Sequence, residues 1–343
     1  MATHINLAIA GTTKHTLMCL ETLMKDGRFK IQWLITPAPK KIGRQQILTL
    51  NPVHAWANSQ DIPLVLLDEK IDRTAQKKIL SLNQQHPVNL LLVVDFGYYI
   101  PRWLLKLPTH NTLNLHPSAL PKWRGSSPGQ FVLLAGEKKS AITLMELVSK
   151  MDSGPIIKQL SFTIKNAWTS TDYYQHSFNL ATQNLGNWLA NYSDGKLKPK
   201  IQPASSPTPM AHKLSKPDAF MPWSVLKLTL VHNSENPDIK QLLNELAENR
   251  LLSKLLKQLE PAKWPELIER ASRAFAPWPL LWTKIPTTKG EKRMQILSCA
   301  VNTDENTKSA QVVHLQNKLQ LKRIKIEGQQ TADWKQVKSI VQE

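Results

Sequence analysis

Apolar residues along this chain follow two rhythms: short continuous or alternating runs, and longer stretches repeating about every 3.6 residues. Ile5 to Ala10 is a short β-rich run that ends at Gly11-Thr12-Thr13, after which a helical pattern continues to about Lys25. Ile31 to Thr36 reads as a second strand, with Trp33 and Ile35 on one face and Leu34 on the other. Leu90 to Val94 is apolar throughout, the mark of a strand covered on both faces. Thr112 to Leu115 reads as a further strand, and helical segments are predicted around 53–60, 72–84 and 126–136. Residues 37–52 are polar and basic, with Lys40, Lys41, Gly43 and Arg44, and predict a long loop. Strands alternating with helices imply an α/β fold with a doubly wound, largely parallel sheet.

The rhythm changes at Leu197. From there to Met210 the chain is rich in Pro, Ser and Lys, with Pro199, Pro203, Pro207 and Pro209, a linker signature. This divides the chain into a domain at 1–196, a linker at 197–210 and a second domain at 211–343. Within the second, Asp238 to Leu259 is amphipathic. Ile239, Leu242, Leu243, Leu246, Leu251, Leu252, Leu255, Leu256 and Leu259 stand at helical spacing, predicting a helical insertion about 225–265. Leu319 to Lys325 alternates apolar and basic residues.

Composition narrows the class. The 343 residues suffice for two cores, and 41% hydrophobic with 20% charged residues describes an ordinary globular protein. Cys19 and Cys299 lie far apart with no Cys-x-x-Cys or His cluster, which argues against a disulfide framework and a structural zinc. No apolar run reaches the ~18 residues of a membrane span. Strand-like sequence from Ile5 predicts no signal peptide, so the expected location is the cytoplasm. The net charge is +18. Residues 1–200 carry 23 Lys/Arg against 12 Asp/Glu, and 201–343 carry 21 against 14, so both parts are basic. That excess suits a large polyanionic partner, although a solvated basic surface would look the same, and charge alone does not separate tRNA from DNA or lipid.

The candidate chemistry lies at Asn114-Leu115-His116. On a strand, residues two apart leave the same face, so an amide and an imidazole would face one substrate. Asp152 follows 36 positions after the histidine, as a candidate partner for it or as a turn residue in Met151-Asp152-Ser153-Gly154-Pro155. Arg124 either binds a phosphate or anchors its loop. Gly11-Thr12-Thr13 lacks the full glycine pattern of a phosphate loop and reads as a tight strand-to-helix turn.

These elements, with Ser118-Ala119-Leu120-Pro121, Arg124-Gly125, Pro128 and Gln130, together resemble the catalytic region of the 10-formyltetrahydrofolate-dependent formyltransferases. Phe96-Gly97 and Pro101 are similar to that family's segment beside the folate, with Asp95 where the family has a small residue. Later elements resemble the methionyl-tRNA formyltransferases within it: His212-Lys213-Leu214-Ser215-Lys216, Pro222-Trp223-Ser224 and Arg273-Ala274-Phe275-Ala276-Pro277-Trp278-Pro279. So do Gly43-Arg44 and Pro52-Val53 in the 36–53 loop, with Gln45 in place of the usual Gly. The 48 residues between Ser224 and Arg273 form a longer block than the family has there.

The resemblance implies a Rossmann-like catalytic domain followed by a smaller C-terminal β-barrel (OB-like) domain that binds tRNA. It implies transfer of a formyl group from the co-substrate 10-formyltetrahydrofolate to the amine of methionyl initiator tRNA, with no metal; a monomer is expected. Asn114, His116 and Asp152 would be catalytic. Phe96, Gly97, Tyr98, Ser118, Leu120 and Pro121 would bind folate, and Lys40, Lys41, Arg44, Lys213, Lys216, Lys322 and Arg323 would touch RNA. In an acyl transfer to an amine, Asn114 would donate to the oxyanion and His116 would donate or shuttle a proton. Asp152 would orient His116 or accept the amine proton. Two alternatives stand beside this reading: a sugar-nucleotide N-formyltransferase, and a non-catalytic RNA-binding protein that has kept the fold.

Overall fold

The computed structural model describes residues 4–43, 45–230, 239–246, 250–303 and 317–337. In chain order its strands are β1 (Ile5–Gly11), β2 (Phe29–Pro37), β3 (Lys40–Ile42), β4 (Ile47–Thr49), β5 (Leu64–Leu67), β6 (Leu90–Val94), β7 (Asn111–His116), β8 (Lys139–Glu146) and β9 (Ile156–Thr163), followed by β10 (Leu281–Ile285), β11 (Lys292–Thr303), β12 (Asn317–Ile326) and β13 (Thr331–Asp333). The helices are α1 (Lys14–Met24), α2 (Pro52–Ser59), α3 (Arg73–Gln85), α4 (Arg102–Leu105), α5 (Pro128–Ala135), α6 (Ser170–Ser193), α7 (Trp223–Leu230), α8 (Ile239–Glu245), α9 (Leu251–Lys257), α10 (Trp264–Ala274) and α11 (Trp334–Val337). Two units result: residues 1–128, 138–164 and 173–212 form one, and residues 129–137, 165–172 and 213–343 the other.

The first unit is built on a seven-stranded sheet of order β5-β2-β1-β6-β7-β8-β9. Strands β5 to β7 are parallel, and β8 and β9 continue the sheet antiparallel. Period-two alternation sorts side chains between two cores. Leu7, Ile9, Leu90, Leu92 and Val94 meet Leu20 and Leu23 of α1 and Phe178, Leu185 and Leu189 of α6. Ala8, Ala10, Leu91 and Val93 join Trp33, Ile35 and, from α3, Ala75 and Ile79. The pairing register shifts between Leu7 and Ala8, so that Gln32 is passed over and Leu7 pairs with Ile31 but Ala8 with Trp33. This bulge lets Ile31 and Leu34 share one core while Trp33 and Ile35 share the other.

Two sequence expectations are revised. Residues 37–52 hold a β-hairpin rather than a plain loop: β3 and β4 pair antiparallel, with Ile42, Ile47 and Leu48 exposed at 58, 59 and 64%. The Pro-rich segment read as a linker is an extended strap pinned along the first unit. Lys200 bridges to Ile156, Thr208 Oγ1 accepts from the Trp123 N–H at 2.7 Å, and the Ala211 N–H donates to the Arg124 carbonyl at 2.8 Å. Proline supplies no N–H, so the strap is tied by the polar residues between its prolines.

The second unit carries a four-stranded antiparallel sheet of order β10-β11-β12-β13, with α10 packed on β11 and β12. The expected amphipathic stretch is divided into α8 and α9, with Leu251, Leu252 and Leu256 buried; Asp238 and residues 247–249 lie outside the described residues.

Candidate active site

Pairing carries Gly11 of β1 level with Val94 of β6, and Val94 level with Leu115 of β7. The residues just beyond, Thr12, Asp95 and His116, therefore form a row at the carboxyl ends of three parallel strands. Open α/β sheets bind ligands at that edge. On β7, Leu113 and Leu115 enter the core beneath α1 and α6, which turns Asn114 and His116 to the opposite face.

His116 is buried at 4% exposure, and both ring nitrogens face protein oxygens. Nε2 lies 3.0 Å from the Trp123 carbonyl, an acceptor, so Nε2 carries the proton of that bond. Nδ1 lies 3.7 Å from Asp152 Oδ2, an ion-pair distance too long for a direct hydrogen bond. Oδ2 is itself fixed by the Gly125 N–H at 2.7 Å. Asp152 holds a left-handed φ of +48°, in a turn that aims its carboxylate back at the histidine. Asn114 is half-buried, and its carboxamide takes no hydrogen bond from another described residue.

Two glycines make this turn geometry possible. Gly125 has φ +127°, and a Cβ there would stand 2.4 Å from the Ala211 carbonyl oxygen of the strap. At Gly154 a Cβ would stand 1.9 Å from the Glu146 carbonyl oxygen.

Between those glycines runs a polar network invisible to sequence reasoning. Arg124, 3% exposed, sends Nε and Nη2 to Gln202 Oε1 at 3.2 and 2.9 Å, and Nη2 also to the Pro203 carbonyl at 2.8 Å. Gln202 Nε2 donates to the carbonyls of Asp152 at 3.0 Å and Gly154 at 2.7 Å. Arg124 is thus an anchor rather than a phosphate ligand, and Gln202 carries its hold to the Asp152 turn. A glutamine among prolines and serines has no local signal; only the folded strap reveals it.

Phe96, Gly97 and Tyr98 come together in the loop after β6. The two rings are 5.2 Å apart, Gly97 is exposed, and the Tyr98 hydroxyl donates to the Asp68 carbonyl at 3.2 Å. Ser118 and Leu120 lie in the turn after β7 with their side chains turned into the protein. Ser118 is fully buried with its hydroxyl donating to the Lys122 carbonyl at 2.7 Å, and Leu120 is 3% exposed. Their side chains build the turn after β7, which Thr143 and Gln159 brace by donating to the carbonyls of Ser118 at 2.7 Å and Leu120 at 3.1 Å. Pro121 stays partly exposed.

Of the basic residues, Lys40 and Lys41 are exposed on the β3–β4 hairpin, while Arg44 lies outside the described residues. Lys213 and Lys216 are exposed at the start of the second unit, and Lys322 and Arg323 on β12. Among the described residues no group of three His, Cys, Asp or Glu could hold a metal ion, and no helix is long and apolar enough to cross a membrane.

Residues 4–187 match the family described as Formyl transferase. Among solved structures, WlaRD, a sugar 3N-formyl transferase crystallised with dTDP and 5-N-formyl-THF, is 16% identical with a TM-score of 0.52, over 90% of this chain and 90% of its own. The N-formyltransferase from Helicobacter canadensis, in complex with folinic acid and dTDP-3-aminofucose, is 16% identical with a TM-score of 0.52, over 89% and 91%. Methionyl-tRNA formyltransferase from Clostridium thermocellum is 11% identical with a TM-score of 0.52, over 94% and 98%. At such identities the likeness shows a shared fold.

Proposed function

The chain belongs to the formyl transferase family, and on that premise we propose that it moves the formyl group of 10-formyltetrahydrofolate onto the amine of methionyl initiator tRNA. The carrying observation is the free Asn114 carboxamide beside the His116–Asp152 pair, at the carboxyl ends of the parallel strands. Formyl transfer needs a donor for the oxygen that becomes negative and a base for the proton the amine sheds. Asn114 supplies the donor without first breaking a bond to the protein. Asp152 supplies the base, with His116 Nδ1 beside it to share the proton, which then passes to the folate nitrogen as its bond to the formyl carbon breaks.

The chain's residues also fit the co-substrate. The main-chain groups of Phe96 to Ile100 make no hydrogen bond to other described residues, which leaves them free for the polar edge of a planar heterocycle. We assign Phe96, Gly97, Tyr98 and Pro121 to its binding, with Ser118 and Leu120 as support. For the acceptor, the hairpin supports RNA: exposed Ile42, Ile47 and Leu48 sit with Lys40 and Lys41, joining apolar contact to phosphate attraction. Lys213, Lys216, Lys322 and Arg323 add basic surface in the second unit.

A sugar nucleotide is the second reading, favoured by the likeness to WlaRD and the Helicobacter canadensis enzyme over about nine-tenths of the chain. Incubating the full chain with labelled 10-formyltetrahydrofolate and either Met-tRNA or dTDP-3-aminofucose, the sugar nucleotide held by the Helicobacter canadensis enzyme, decides between them. Label on the methionyl amine is expected; label on the sugar alone would refute the tRNA reading.

A further inference from the structure

The strand order reverses between β1 and β6, and in open α/β sheets ligands enter the crevice at that point. In this chain a side-chain clamp spans it. Asp95 follows the last residue of β6 and takes φ +48°, a left-handed conformation uncommon for a residue with a side chain. Its Oδ2 accepts from Thr13 Oγ1 at 2.6 Å and lies 3.1 Å from His15 Nδ1, both on the turn that opens α1. The buried His15 ring stacks on Phe178 with centroids 4.6 Å apart and planes at 12°. His15 Nε2 is buried without a partner. A proton there would be a buried N–H lacking an acceptor, so the ring's proton sits on Nδ1 and points at Asp95. Partial desolvation opposes ionisation of Asp95, whose side chain is still 43% exposed, but the bonds from His15 and Thr13 outweigh it and hold the carboxyl below its usual range.

Beyond Asp95 the chain has few polar ties, although Ile100 enters the core and Phe96 and Tyr98 pack half-buried against it. The Pro101 carbonyl accepts from Leu104 and Leu105 at 2.9 and 3.1 Å, and the Tyr98 hydroxyl reaches Asp68. Between these points the main chain makes no hydrogen bond within the described residues. The Asp95 end is therefore where side-chain hydrogen bonds set the loop's direction as it leaves β6. We propose that Asp95, clamped by Thr13 and His15, is a positioning residue that fixes the Phe96–Pro101 loop and thereby sets affinity for the formyl-folate co-substrate. This rests on the folate role given to that loop above.

The test compares Asp95→Ala, Asp95→Asn and His15→Phe in the full chain. Asparagine keeps an oxygen for Thr13 and His15, whereas phenylalanine keeps the stack on Phe178 and removes one donor. Asp95→Ala is expected to raise the KM for 10-formyltetrahydrofolate about tenfold, with kcat and the acceptor KM changed less than about twofold. Asp95→Asn should recover most of that loss, and His15→Phe should fall between. Cleavage of the native chain by chymotrypsin after Phe96, Tyr98 or Tyr99 should quicken in Asp95→Ala, a readout that needs no folate. Unchanged folate KM in Asp95→Ala, or unchanged cleavage, overturns the proposal. If the wild-type chain neither binds nor uses folate, the proposed function fails instead, and the cleavage rates still decide whether the clamp holds the loop.

Discussion

Replacing Gln202 with leucine tests whether the strap belongs to the active site. The substitution keeps side-chain bulk and removes four hydrogen bonds: two accepted from Arg124 and two donated to the carbonyls of Asp152 and Gly154. Two carbonyls and a guanidinium that is 3% exposed lose partners. Orphaning a buried polar group costs ~1–3 kcal/mol, so a stability loss of about 3 kcal/mol is the low estimate. For a domain of this size, melting should fall by about 6–12 °C. The kinetic effect is the sharper test. Asp152 Oδ2 is 3.7 Å from His116 Nδ1, and the Gly125 N–H and the Gln202 contacts hold that spacing together with the turn's own bonds, Ser153 N–H to the Lys150 carbonyl and Glu146 N–H to the Pro155 carbonyl. A shift of ~1 Å in a reacting group can cost ~10² in rate. Steady-state kinetics well below the melting point should show kcat down about a hundredfold, with the folate KM nearly constant. Gln202→Glu gives a charge to Arg124 but turns an oxygen toward the Asp152 and Gly154 carbonyls, so it should also lose kcat. A Gln202→Leu enzyme with kcat within twofold of wild type would refute the idea that the strap positions Asp152.

Other expectations follow from the same geometry. Asn114→Ala, His116→Ala and Asp152→Ala should each lower single-turnover formylation by ~10²–10³ while the far-UV spectrum stays native, and near-normal rates would remove these residues from the chemistry. Affinity for Met-tRNA should fall as salt rises, and Lys40→Ala with Lys41→Ala should weaken binding and flatten that slope without moving the folate KM. An unchanged slope would take the hairpin out of the RNA contact. Burial pushes the thiol of Cys19, fully buried in the first unit, up to about 12, so it should resist alkylation at pH 8 until the chain unfolds. Rapid labelling of native protein would contradict that burial.

Much of the first unit was legible because its strands declare themselves one at a time. Leu90 to Val94 is apolar at every position, which fits a strand whose alternate residues enter two different cores. Trp33 and Leu34 separated onto opposite faces as their alternation predicts. The bulge at Gln32 was not legible, since alternation carries no mark of the skipped position until β1 is paired beside it. Strands β8 and β9 also went unread. They join the sheet antiparallel; in β8 the buried run is interrupted in sequence by polar Ser140 and Thr143, and in β9 exposed and half-buried positions break both the continuous and the alternating pattern.

The site divides along a similar line. Asn114 and His116 could be placed from two-residue spacing alone, because a strand fixes the face a side chain leaves. Asp152 could be found by its family pattern, but its turn is shaped by contacts spread along the chain: Gly125, Glu146, Arg124 and Gln202. Prolines at 199, 203, 207 and 209 carry the composition of a free connector. Proline's fixed φ keeps the chain extended whether or not anything holds it, so the same composition serves a linker and a strap. What separates the two is whether the intervening side chains find buried partners. Here Gln202 finds three, the guanidinium of Arg124 and the carbonyls of Asp152 and Gly154, and the boundary drawn at 196 therefore cuts through the support of Asp152. A fragment that is to keep the geometry of this site has to extend through Ala211, whose main chain closes on Arg124 and Ser127.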